Sequence, residues 1–111
     1  AVKDAQIIYE NMAFSVCPSS AENSILTAAM AADDLLNIVG IKASFVCCLL
    51  EDTVYISARS FGEVNVQVIM EKLGGGGHMT VSGAQLTRCS IKEAEQKLKQ
   101  AIEGYLKEET K

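Results

Sequence analysis

From Asn11 to Cys17 the chain alternates, with Met12, Phe14 and Val16 on one side and Ala13 and Ser15 on the other, the period of a half-buried strand. Pro18 stops that strand, and the polar cluster from Ser19 to Asn23 supplies a turn and N-cap residues for a helix running to about Asn37. Ile25, Ala28, Ala29, Ala32, Leu35 and Leu36 share one face of that helix, and Gly40 ends the connection. Phe45 to Leu50 is uninterrupted apolar sequence, which predicts a strand covered on both faces. Thr53 to Ala58 alternates again after a tight turn at Glu51-Asp52, so the two form a hairpin. Val64 to Leu73 fits both periods, and the glycine just past Leu73 decides for a helix. Gly83 to Thr87 predicts a short strand. Ser90 with Glu93 makes a capping box for a last helix whose stripe is Ile91, Ala94, Leu98, Ala101, Ile102 and Tyr105. Gly104 costs that helix about 1 kcal/mol relative to alanine, which predicts a frayed end. The order β-α-β-β-α-β-α predicts an α/β fold, a single small domain with a mixed sheet packed against helices.

Composition narrows the classes. With 111 residues, 49% apolar and 22% charged, the chain is an ordinary globular domain, taken undivided as residues 1–111. Its start at Ala1 reads as a piece cut from a longer polypeptide. No apolar run approaches the ~20 residues of a membrane span, and no signal peptide opens the sequence. A net charge of −4 argues against coating duplex DNA, while leaving room for a small anionic ligand held locally. Cys17, Cys47, Cys48 and Cys89 contain no Cys-x-x-Cys pair, and neighbours on one strand point to opposite faces, so these are core thiols rather than a zinc site or disulfide framework.

The run Gly74-Gly75-Gly76-Gly77-His78 is the unusual local feature. Without Cβ atoms, such a run can turn its N–H groups toward an anion, and the single histidine could donate to a phosphate or a base edge. The plain alternative is a helix stop, a loop and an incidental histidine. Arg59, at the end of the hairpin strand, could grip a phosphate bidentately with the Ser60 hydroxyl beside it, or simply be a solvated arginine. Asp33-Asp34 and Glu51-Asp52 read as solvated acids, and the chain has no clustered carboxylates and histidines of the kind two-metal hydrolysis needs. Cys89 with His78 lacks the orienting motif of a nucleophilic pair, so an inert thiol is the better reading.

Ser57-Ala58-Arg59-Ser60, Glu63-Val64-Asn65 and the glycine run ending in His78, in this order and spacing, resemble the Gly-Gly-Gly-His (DHH-associated) domain that follows the catalytic domain of DHH-family phosphodiesterases. The resemblance runs from the strand at Met12 to the final helix. Between Ala43 and Thr80 it is most like the membrane-anchored bacterial cyclic-di-AMP phosphodiesterases of the GdpP type. It implies that Arg59 and Ser60 hold phosphate, that the Gly75, Gly76 and Gly77 backbone cradles the nucleotide, and that His78 contacts its phosphate or base, with Asn65 a weaker member of the set. It also implies that manganese ions and catalysis belong to an absent DHH domain of the same polypeptide, so that this chain alone is inactive. The implied ligand is a cyclic dinucleotide or short oligonucleotide, the implied location is the cytoplasmic side of a bacterial membrane, and a homodimer is left open. Many members follow the histidine with two residues and Ala-Ala-Gly, whereas Val81-Ser82-Gly83 stands here, which puts the packing behind the loop in question. The rival is an RNA-binding accessory module like that of alanyl-tRNA synthetases, whose glycine run continues differently, and a third reading is a purely structural dimerisation domain.

Overall fold

The computed structural model describes residues 6–9, 11–17, 24–38 and 40–109, without the side chains of Cys17, residues 24–27 and Glu109. In chain order the elements are β1 (Gln6–Ile8), β2 (Met12–Cys17), α1 (Ser24–Leu36), β3 (Ala43–Leu50), β4 (Thr53–Ser60), α2 (Val66–Glu71), β5 (Gly76–Gly77), β6 (Val81–Thr87) and α3 (Ile91–Glu109). The strands form one sheet in the order β1-β2-β3-β4-β6-β5. Among the described strands, β2 and β3, joined by the α1 crossover, pair in parallel, and every other neighbouring pair is antiparallel. The α/β class and the mixed sheet are as predicted.

β3 explains the layering. Phe45 and Cys47 face a core built with α2 and α3, including Ile69, Met70, Leu98 and Ile102. Val46 and Cys48 face a separate, smaller core with Ala28, Ala32 and Leu35 of α1. Adjacent cysteines thus lie on opposite faces, as the strand period requires. Cys47, Cys48 and Cys89 are all buried.

Several expectations change. β2 is not half-buried: Ala13 and Ser15 are buried as well as Met12 and Phe14, because α1 covers the second face, and the exposed residue is Val16. β1 and β5 were not predicted, and β6 starts at Val81 rather than Gly83. α3 runs on through Gly104 to Glu109, since Leu98, Ala101, Ile102 and Tyr105 bury its stripe and hold it to the sheet. Pro18, the turn at 19–23 and the side chain of Ile25 lie outside the described residues. Among the described residues no helix is long and apolar enough to cross a membrane.

Candidate functional site

The glycine run does two separate jobs, a helix stop and an edge strand. Gly74 sits at φ +83°, with its N–H donating to Glu71 O (3.1 Å) and the Gly75 N–H to Met70 O (2.8 Å), the paired bonds that close a helix in the left-handed conformation. Gly76 and Gly77 then form a two-residue edge strand opposite Gly83 and Ser82. That pairing needs bare backbone. A Cβ on Gly75 would collide with the Gly83 carbonyl and Ala84, one on Gly77 would lie 2.6 Å from the Val81 carbonyl, and one on Gly83 would lie 2.9 Å from the Ile56 carbonyl.

His78 opens the turn that follows. Its N–H donates to Val81 O (2.7 Å), and its carbonyl accepts the Ser82 hydroxyl, so the main chain is fixed while the side chain is exposed. Among the described residues the imidazole has no hydrogen-bond partner. Phe61, Met79 and Val81 are exposed at the same end of the sheet. Val81 therefore does not pack behind the loop, whereas Ser82, also in place of an alanine, lies against Gly77 and bonds the His78 carbonyl.

Ser60 and Asn65 have local partners. The Ser60 hydroxyl is buried, donates to Val64 O at 2.7 Å with Met79 O at 3.2 Å, and accepts the Gly62 N–H, tying the end of β4 to the turn after the glycines. Asn65 is the N-cap of α2, its side chain accepting the Val68 N–H at 3.3 Å. Its own N–H donates to the Tyr105 hydroxyl, which fixes α2 on α3.

Arg59 is directed to the other face of the sheet. Its Nε donates to Asp33 Oδ1 of α1 at 3.0 Å and its Nη1 to the Ala58 carbonyl at 2.9 Å, and its side chain is only 14% exposed. Asp33, read from sequence as one of two solvated acids, is thus the partner of the principal cation. Beside it opens a groove of about 660 Å³ whose floor is β4 and β6 and whose rims are Ala29 of α1 and Gly74-Gly75. Arg59, Tyr55, Ser57, Gln85 and Thr87 give the floor its polar character. Arg59, Gly74 and Gly75 all line it, whereas His78 lies outside the lining on the neighbouring turn. His78 and Cys89 flank opposite ends of β6, a strand roughly 20 Å long, so they form no pair. Among the described residues no three His, Cys, Asp or Glu side chains are grouped so that they could hold a metal ion.

Comparison with known proteins bears on these features. The family model described as the DHHA1 domain matches residues 6–108. The chain is 46% identical over 98% of its length to the cyclic-di-AMP phosphodiesterase PdeA of Listeria monocytogenes. It is 58% identical over 69% of its length to the cyclic-di-AMP phosphodiesterase GdpP of Geobacillus thermodenitrificans. It spans only 17% and 12% of those two proteins. Among solved structures, the C-Ala domain of Aquifex aeolicus alanyl-tRNA synthetase superposes with a TM-score of 0.65 at 14% identity, covering 87% of this chain and 96% of that one, a likeness of fold alone.

Proposed function

The chain belongs to the DHHA1 domain family, and on that premise we propose that it is the substrate-binding domain of a DHH-family phosphodiesterase that hydrolyses a cyclic dinucleotide, cyclic-di-AMP first. The DHH domain of the same polypeptide would hold the manganese ions and carry out hydrolysis, on the cytoplasmic side of a membrane-anchored parent. The observation that carries the reading is the groove lined both by Arg59 and by the backbone of Gly74 and Gly75. A guanidinium with N–H donors to spare, in the same groove as Gly74, where the place of a Cβ is open, is chemistry suited to a phosphodiester. His78 on the adjacent turn would add a donor at the groove's end, with Gly76 and Gly77 holding that turn against β6. In this reading Ser60 and Asn65 shape the loop rather than grip the ligand.

The test is calorimetric titration of the full-length protein with cyclic-di-AMP in EDTA, which stops metal-dependent turnover. Arg59→Ala is expected to weaken binding about 10- to 150-fold, the loss of one charge-assisted pair. Because its side chain is mostly buried, Arg59→Ala should also cost about 1–2 kcal/mol of stability through lost packing, so the titration is run well below the variant's melting temperature, where it is folded. Unchanged affinity would overturn the assignment. RNA binding, the rival suggested by the resemblance to the accessory module of alanyl-tRNA synthetases, is opposed by the net charge of −4. Tighter binding of tRNA than of the dinucleotide would decide for it.

A further inference from the structure

Resting on the reading of Arg59 as the phosphate ligand, we infer that Asp33 is the positioning residue that holds its guanidinium ready. Arginine has five N–H donors in a planar fork. Asp33 takes the one at Nε, and the Ala58 carbonyl takes one at Nη1. Both hydrogens of Nη2 and the second of Nη1 remain, enough to meet two phosphate oxygens side by side. Asp33 accepts one hydrogen bond, from Nε to one carboxylate oxygen, which leaves both Nη2 hydrogens unused by it.

The support on which Asp33 stands is itself fixed. Ser44 and Arg59 are direct partners across β3 and β4. The Ser44 hydroxyl donates to the Ala32 carbonyl at 2.6 Å, and Arg59 reaches the next residue of the helix, Asp33. One cross-strand pair therefore clamps two consecutive residues of α1, and the carboxylate is presented from a locked turn. A long side chain ordered before the ligand arrives loses less freedom on binding. The competing effect is repulsion between Asp33 and an incoming phosphate. With its side chain 62% exposed, Asp33 is screened by water, so repulsion is the weaker term. Asp34, next in sequence and also exposed, carries the same charge without the contact.

The experiment titrates cyclic-di-AMP, in EDTA, into the full-length protein and its variants. Asp33→Ala is expected to weaken binding roughly 3- to 10-fold, whereas Asp33→Asn, which keeps an acceptor for Nε, and Asp34→Asn should stay within about twofold. In an Arg59→Ala background, Asp33→Ala should have no further effect. The Arg59 Nε–H signal in the ligand-free protein should broaden or shift to the solvent-exposed position in Asp33→Ala and keep its place in Ser44→Ala, which separates positioning from anchoring of the helix. If Asp33→Ala binds as tightly as the parent or tighter, or if its loss persists without Arg59, the inference falls and the role of Arg59 stands. If Arg59→Ala itself binds normally, both fall.

Discussion

The two faces of the sheet are covered unequally, and the candidate site lies where cover is missing. On one face α2 and α3 bury Met12, Phe14, Phe45 and Ile56 across the sheet out to Ala84 of β6. On the other, α1 alone packs on small residues, Ala13, Val46 and Cys48, and its core includes nothing from β6. Alanines at 28 and 32 let that helix sit close. The strip of β4 and β6 beyond it becomes the groove that holds Arg59. The thick face thus supplies stability and the thin one leaves room for a ligand. The sharpest way to break this contrast is at β3. Phe45 and Cys48 are both fully buried, on opposite faces. Phe45→Ala should cost about 3–5 kcal/mol in urea unfolding, and Cys48→Ala about 1 kcal/mol. Equal losses would mean that the thin face contributes as much as the thick one.

The glycine edge offers a finer test of how the groove's rim is built. Gly75→Ala brings a methyl against backbone that cannot swing aside, and should cost about 1–3 kcal/mol while detaching β5 from β6. Gly76 has nothing within 4 Å of a Cβ and an ordinary φ, so Gly76→Ala should change stability by about 0.5 kcal/mol or less. Hydrogen-exchange protection of the β6 amides checks both variants. Similar behaviour of the two would mean that the run is a flexible loop, whatever its packing.

The contrast between near and distant partners also governs what the sequence discloses. The Ser90–Glu93 capping box forms as read, with both reciprocal bonds at 3.1 Å, because its partners are three residues apart. The covered strand at Phe45 and the stop at Gly74 were legible for the same reason, each being set by a few consecutive residues. β5 was not, since two glycines have no strand propensity and pair only because Gly75, Gly77 and Gly83 admit another backbone. β1 is a three-residue edge with two exposed positions, too short to show a period. In the site, the spacing singled out Arg59 but not Asp33, 26 residues earlier on a helix, and no local pattern could have linked them. The capping role of Asn65 had a readable signal, a polar residue just before an apolar helix, although the resemblance drew attention to it as a ligand.

The smallest expected effect lies at the far margin of the thick face. Tyr9, just after β1, packs against that core and donates its hydroxyl to Glu103 of α3 at 2.8 Å. Partial burial and then the neighbouring carboxylate, which both accepts its proton and repels a phenolate, push its pKa up to about 12 from 10.0. A raised value means that the folded state favours the protonated phenol. Its contribution is complete below pH 10, and is lost as pH rises through 12, because the unfolded chain gives up this proton first. The pair is exposed, so Tyr9→Phe should cost only about 0.5 kcal/mol at neutral pH. Urea midpoints measured from pH 9 to 12 should fall more steeply for the parent than for Tyr9→Phe, while lysines and the other tyrosines titrate in both and cancel in the difference. Parallel curves would show that the Tyr9–Glu103 bond does not hold the margin of the sheet to α3, and that apolar packing alone extends the thick face to β1.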